Sequence, residues 1–395
     1  MTVRRVLFVT HNFPRNAGDS AGGFLLDLAT ALIGIGIAVE VIAPHAKGLP
    51  ERDVVNGIPV QRVRYGTDAD ETLAYTGTMA EQVRASTRAK RAMLRLMGAL
   101  RRATRHRLAS GDIDIVHAHW WFPAALAIGR TAVRARVPMV VTSHGSDARM
   151  AVGVTASLAS FALGRAAAVT TVSQWLAQRL RPLTAAPITV APMPADVSLF
   201  APATAPRTLP ARVLFVGRLN QQKNPELLLH ALAGLQEEVY LDIVGDGPDA
   251  GALRALSAQL GVAHRVTWHG QMPREALPAL YAQATCTLVP SQDEGFGMVA
   301  AESLLCETPV IATASGGLPD IISDGETGVL LPLQTQNDPT AWIHAIRGII
   351  HNPSQRAVFG RRGRAAMLAL VAPAAVAERY RTVYESARRG IVRAR

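Results

Sequence analysis

The sequence predicts an α/β protein of two Rossmann-like, doubly wound domains facing across a cleft, and three observations lead there. At 395 residues the chain exceeds what one hydrophobic core ordinarily organises. Short apolar runs of strand length alternate with longer helical patterns, as parallel strands joined by helices do. The alternation halts in a Pro- and Ala-rich, aperiodic stretch, a linker by composition, and then starts again. The expected division is a first domain over 1–198, a linker over 199–210, a second domain over 211–372 and a further helix over 373–395.

In the first domain, residues 5–10 are suited to a buried parallel strand. A loop over 11–20 leads into Gly22 and Gly23, which allow close approach of backbone to a ligand before a helical pattern over 24–33. Strands are expected at 38–44, once or twice within 54–65, and at 114–117, 138–142, 167–173 and 188–192. Between them, 79–108 is helical and heavily basic, with Met93, Leu94, Leu96, Met97 and Leu100 as an apolar face. Two readings stay open for it: a helix on an anionic membrane surface, or one packed on the sheet with a solvated basic face. His11, His119 and His144 fall just past strand ends, where doubly wound sheets bind ligands.

The second domain repeats the plan, with strands at 212–216, 240–244, 266–269, 285–289, 309–312 and 329–331, and helices from 339 onward. Its most informative stretch is 290–302, a strand end, a glycine-flanked turn around Gly295, Phe296 and Gly297, and a helix beginning near 296 or 297. Such a helix start presents unpaired N–H groups and a positive dipole end, which favour phosphate. Glu294 and Glu302 stand eight residues apart, two turns of helix, so both can face one cleft at different depths.

The formal charge of +11 asks for an acidic partner: nucleic acid, anionic lipid or a phosphorylated substrate. Lysine occurs only at 47, 90 and 223, which singles out Lys223. No apolar run reaches the roughly 20 residues of a membrane span, and the N-terminal one ends too early for a signal peptide. Cys286 and Cys306 lack metal-ligand spacing and read as reduced thiols, which fits a cytoplasmic location.

Arg218 and Lys223 follow the first strand of the second domain beside Gly217, two cations able to grip a diphosphate. Gly245 and Gly247, with Asp246 between them, lack dinucleotide-fingerprint spacing and read as a tight turn lining a nucleotide pocket. Asp112-Ile113-Asp114 has a metal-binding form but precedes its strand, the wrong edge of the sheet; no metal is expected. His144, beside Gly145, is a candidate site residue, and Asp147 close by is a candidate for binding the acceptor. His119 and Trp120 read either as an acceptor wall or as a helix-start core cluster. No nucleophile elbow is present.

With these residues in place the chain resembles a retaining glycosyltransferase of the GT-B fold, in glycosyltransferase family 4. The resemblance rests on the E-x7-E pair Glu294 and Glu302, Gly217-Arg218-Leu219 with Lys223, and Gly245-Asp246-Gly247-Pro248. Gly22-Gly23, Ser143-His144-Gly145 and Pro194-Ala195-Asp196 with Phe200 extend it over nearly the whole chain. It implies that Arg218 and Lys223 hold the donor diphosphate and that Glu302 binds the ribose. Glu294, with the backbone of Gly295, Phe296 and Gly297, would hold the donor sugar. Gly22 and Gly23 would close over the phosphate, His144 would lie near the reacting carbon, and the C-terminal helix would return to the first domain. Transfer would retain configuration and need no metal. Departing charge would be met by fixed cations and water excluded by domain closure.

The expected activity is transfer of a sugar from a UDP- or GDP-sugar to a hydroxyl acceptor. That acceptor is either a lipid-linked or polysaccharide precursor, favoured by the basic segment and peripheral contact with the inner membrane face, or a small natural product. The rivals are a sugar-nucleotide epimerase or phosphorylase on the same fold, and a basic nucleic-acid-binding protein. The last is disfavoured because its arginines are dispersed without stacking aromatics.

Overall fold

The computed structural model describes residues 2–16, 18–19, 21–75, 79–203, 210–335 and 337–393. It divides into two compact units, Met1–Pro194 with Pro373–Arg395, and Ala195–Ala372.

The first unit holds β1 (Arg5–Val9), β2 (Ala38–Pro44), β3 (Arg52–Val55), β4 (Ile58–Val63), β5 (Ile115–His119), β6 (Met139–Ser143), β7 (Ala168–Thr171) and β8 (Ile188–Val190). They form one sheet in the order β3-β4-β2-β1-β5-β6-β7-β8. Every pairing is parallel except β3 with β4. Residues of β5 and β6 are buried along their whole length, as expected of strands covered on both faces. The β3–β4 hairpin turns at Asn56 and Gly57, both at positive φ (50° and 79°), the two-residue turn that Asn-Gly favours.

The basic segment is two helices, Met79–Ala85 and Thr87–Leu108, rather than one. Ser86 interrupts it in extended conformation and accepts a hydrogen bond from Ala89 N, capping the second helix. The apolar face is buried through Met93, Leu96, Leu100 and Leu108, but Leu94 points outward and is 70% exposed. Helix Pro373–Arg393 belongs to this unit and packs against Gly23–Gly34. The Tyr380 hydroxyl donates to Ala191 O (3.1 Å), and the Tyr384 hydroxyl lies 2.8 Å from His117 Nδ1.

The second unit holds β9 (Ala211–Val216), β10 (Val239–Val244), β11 (Val266–Gly270), β12 (Cys286–Val289), β13 (Val310–Thr313) and β14 (Gly328–Leu331), all parallel in the order β11-β10-β9-β12-β13-β14. Its core gathers Leu229, Leu232, Leu241, Ile243 and Ile311 around the fully buried Trp342. The unit begins at Ala195, not beyond the expected boundary at 198. Ala195 N donates to Val371 O (3.0 Å), and Phe200, placed in the linker by composition, is a fully buried core residue whose carbonyl accepts from Arg364. Residues 204–209 of the expected linker, and 394–395 of the terminal helix, lie outside the described residues.

Each sheet has a switch point beside its first strand. The chain leaves β1 toward β2 on one side and resumes at β5 on the other; β9, β10 and β12 do the same. Such switch points open a crevice at the strand carboxyl ends. The predicted residues follow those strands: His11 and His119 after β1 and at the end of β5, and Lys223 and Glu294 after β9 and β12.

Candidate functional site: strand-end loops of the two units

In the second unit three loops meet. After β9, Gly217 N donates to Val244 O (2.9 Å) and Leu219 N to Asp246 O (3.0 Å), zipping this loop to the one after β10. A Cβ at Gly245, whose φ is +128°, would stand 1.9 Å from Gly217 O, and one at Gly247 would stand 2.2 Å from Leu219 O. Glycine at these two positions is therefore required by loop-to-loop packing before any ligand is considered. The loop after β12 is tied to the same β9 loop by Gln292 N donating to Gln222 O (2.9 Å) and Gln222 Nε2 to Gln292 O (3.2 Å). From the other side the loop after β13 supports it. Asp293 N donates to Ser315 Oγ (2.9 Å), Gly317 N donates to Glu294 O (2.8 Å), and a Cβ on Gly316 would meet Glu294 O at 2.1 Å.

This scaffold sets Lys223 Nζ and a Glu294 carboxylate oxygen in direct contact, both side chains largely shielded from solvent. Arg218, on the same loop as Lys223, is exposed and forms no ion pair with any described residue. The helix starts at Met298, one or two residues later than expected, behind Gly297 at φ 101° and with no side-chain cap. Its first N–H groups are thus not taken by a capping side chain. Phe296 is 6% exposed, so its side chain serves the core and only its backbone is available to a ligand.

Glu302 engages other partners. It lies on the second turn of that helix, 8% exposed, accepts from the Tyr281 hydroxyl (3.2 Å), and has Arg274 Nε at 3.8 Å. Burial, then Glu302, pushes the Tyr281 phenol well above its ordinary range and the Cys306 thiol up to about 12, so neither is ionised at neutral pH.

In the first unit the ends of β1, β5 and β6 bring aromatic rings together. His119 Nδ1 lies 3.2 Å from His144 Nε2, so one of the two carries the proton and donates it to the other. Trp120, at φ 67°, packs between His11 and His144 with ring centroids 4.4 Å from each, and Phe24 closes on His144 at 5.1 Å. Burial lowers His11 to about 4 and holds His119 and His144 well below the usual imidazole range, so the cluster is neutral at pH 7. His11 Nδ1 and His119 Nε2 are buried without a hydrogen-bond partner among the described residues.

Asp147 is not presented to a ligand. It is fully buried and accepts from Ser143 Oγ (2.8 Å), Trp121 N (3.0 Å), His144 N (3.2 Å) and Gly145 N (3.3 Å), bracing the β5 and β6 ends against each other. Of the two loop glycines, Gly22 (φ +79°) is required, since a Cβ would stand 2.8 Å from Asn12 O, whereas a Cβ on Gly23 meets nothing within 4 Å.

The acidic pair of the D-x-D segment is consumed structurally. Asp112 takes Arg107 and Ser110, which hold it well below the carboxylate range, and Asp114 accepts from Arg4 N and Arg5 N. A triad that sequence reading missed, His45, Asp68 and Glu71, comes together near β4. Its His45 nitrogens face Glu71 (2.5 Å) and Leu49 O (2.7 Å), and Arg64 bridges both carboxylates, so it is a closed ion-pair network. Also missed were Gln222, Ser315, Gly316, Tyr281 and Arg274. The Ser315-Gly316-Gly317 run after β13 carried the same strand-end glycine signal as the loops that were noticed.

Residues 21–199 match the family model described as Glycosyltransferase Family 4, and 201–366 match that of Glycosyl transferases group 1. The D-inositol 3-phosphate glycosyltransferase of Xylanimonas cellulosilytica is 32% identical over 384 residues, covering 88% of each chain. The chain belongs to the family 4 glycosyltransferases of the GT-B type. A second relative of the same name, from Thermobifida fusca, is 28% identical over 387 residues, covering 88% of this chain and 84% of the relative. Among solved structures, sucrose-phosphate synthase from Thermosynechococcus elongatus has the same fold, with a TM-score of 0.76, 24% identity and coverage of 97% and 98%. Anabaena Alr3699/HepE in complex with UDP follows at 0.72, 18%, 97% and 100%. This glycosyltransferase thus takes its sugar from a nucleotide-sugar donor.

Two expectations follow from the geometry. His117, buried between Tyr384 and Thr142, is lowered to about 3, against 6.5 when unfolded. Below pH 6.5 the unfolded chain therefore binds protons that the folded one refuses, and stability falls by up to about 1.4 kcal/mol per pH unit per such histidine. The thermal midpoint should drop between pH 7 and pH 5, above the carboxylate range, with a shallower slope in His117→Asn; a flat midpoint would mean the histidines are charged when folded. Asp147→Ala, which strands buried N–H groups, should cost about 1–3 kcal/mol in denaturant unfolding, and an unchanged midpoint would remove its bracing role.

Proposed function

We propose that this glycosyltransferase moves its sugar with retained anomeric configuration and without a metal ion. The proposed acceptor is a hydroxyl of a small polyol or sugar, with a phosphorylated inositol the first to test. The observation that carries the donor half is the Lys223–Glu294 contact held at three converging strand ends beside the exposed Arg218.

In this reading the donor diphosphate binds Arg218, Lys223 and the N–H groups at the start of helix Met298–Leu305. Lys223 is then shared between phosphate and Glu294, which positions Glu294 to accept hydroxyl hydrogens of the donor sugar. Two fixed cations offset the charge that grows on the leaving diphosphate, the task a metal performs elsewhere. Glu302 serves the ribose, its orientation set by Tyr281. The acceptor hydroxyl approaches on the face from which the diphosphate departs and gives its proton to a phosphate oxygen, so configuration is retained. His144 hydrogen-bonds the acceptor, and the neutral rings of His11, Trp120 and Phe24 offer faces for the C–H bonds of a sugar or cyclitol. The relatives named D-inositol 3-phosphate glycosyltransferase support the choice of a phosphorylated cyclitol.

A panel of UDP-, GDP- and ADP-sugars against inositol phosphates tests the assignment. Lys223→Ala and Glu294→Ala should each lower kcat/KM by about 10²–10³, roughly 2.7–4 kcal/mol of transition-state stabilisation, with the thermal midpoint unchanged; a fully active variant of either removes the site. The product's anomeric proton coupling should match that of the donor, and activity should survive excess EDTA. An inverted product or loss of turnover on chelation overturns the corresponding half of the mechanism.

A further inference from the structure

Helix Val154–Leu163 of the first unit contains no charged residue, and only one side of it is packed, through Ala159, Ala162 and Leu163. On the other side Val154, Leu158 and Phe161, at i, i+4 and i+7, stand 89%, 47% and 41% exposed, with Val152 just ahead at 58%. Thr155, Ser157 and Ser160 are its polar residues, and the Val154–Leu158–Phe161 stripe runs between them as an uncharged, uncovered line of large apolar side chains among the described residues. Its neighbour, Leu126–Ala135, continues the patch with Val133, 58% exposed.

The surroundings of the patch are cationic. Arg130 and Arg165 flank the Phe161 ring, with Cζ 5.5 and 3.5 Å from its centroid. One helix further, Thr87–Leu108 packs on Leu126–Ala135. Between these two, Arg101, Arg102, Arg105 and Arg134 line a cavity of about 710 Å³. All four are exposed, and none forms an ion pair with a described residue, whereas Arg107 on the same helix is taken by Glu40 and Asp112.

We infer that this three-helix face docks on an anionic lipid bilayer, the Val154–Leu158–Phe161 stripe entering the headgroup–acyl boundary and the arginines binding lipid phosphates. The sequence left residues 79–108 open between a membrane-surface helix and one packed on the sheet. The structure moves the apolar half of the contact to 152–161, because Met93, Leu96 and Leu100 are spent on the core. Charge decides among occupants. A second copy on a two-fold axis would bring the arginines onto each other, and a nucleic acid has no use for exposed Val154 and Leu158 beside a single ring, Phe161, that two guanidinium groups already flank. An anionic bilayer takes apolar side chains and arginines on one surface, over an area as wide as three helices. The inference is independent of which acceptor the enzyme uses.

Flotation of the full chain with phosphatidylcholine vesicles, with and without phosphatidylglycerol, at physiological salt tests it. The protein should float with the anionic vesicles and not with the neutral ones. Leu158→Ser with Phe161→Ser, and separately Arg101→Glu with Arg105→Glu and Arg134→Glu, should each lower the partition coefficient at least about tenfold. Thermal midpoint and turnover of a soluble acceptor should stay unchanged in both. Three results would overturn the inference: no flotation, equal flotation with neutral vesicles, or a dimer by light scattering that the Leu158→Ser, Phe161→Ser variant dissociates.

Discussion

The second unit depends on keeping Lys223 and Glu294 in contact at a sheet's switch point. As an ion pair this contact does little for stability: both groups retain some solvent access, and pairs of that kind contribute at most about 1 kcal/mol. Its worth is positional. The pair of Gln222 and Gln292 hydrogen bonds, and the close seat of Gly316 under Glu294 O, fix the two backbones before either side chain is placed. An anion arriving there meets a lysine already oriented, so little reorganisation remains for the reaction.

The first unit solves a different problem at its own switch point. Where the second unit offers fixed charge, the first offers imidazoles kept neutral by burial, with Asp147 holding the loops that carry His144 and Trp121. A neutral histidine both donates and accepts, which suits hydroxyl groups better than an imidazolium that can only donate. Because His119 Nδ1 lies on His144 Nε2, the tautomer of one determines that of the other, and His144 presents a defined face through its remaining nitrogen.

Much of this was legible in the residues. Strand-end placement alone marked His119, His144, Lys223 and Glu294, because parallel sheets deliver ligands to that edge. What the sequence hid was direction. Asp147 stands beside His144 in a way that suggests ligand binding, yet the loop turns its carboxylate inward to four donors, a matter of backbone path that spacing does not encode. Gly245 and Gly247 read as pocket lining, and spacing gave no sign that two loops lie in contact there too closely for a Cβ. Phe200 sits among prolines and alanines that read as linker, but one buried ring assigns it to the core. Leu94 fits an apolar helix face by composition and lies outside it because a 22-residue helix buries a narrower stripe than its apolar content suggests.

The excess of positive charge was the least specific signal, and the structure divides it by subtraction. Arg88 is taken by Asp70, Arg107 by Glu40 and Asp112, Arg212 by Asp242, and Arg347 by Glu237, so the charge of these cations is already met within the chain. Of those without a carboxylate among the described residues, Arg218 stands in the loop after β9, while Arg101, Arg102, Arg105 and Arg134 line one cavity between two helices and Arg130 lies over the Phe161 ring. Net charge alone gave one vague expectation of an acidic partner. Local pairing turns it into two: a diphosphate, where one guanidinium joins Lys223 beside a helix start, and an extended anionic surface, where several surround an apolar stripe.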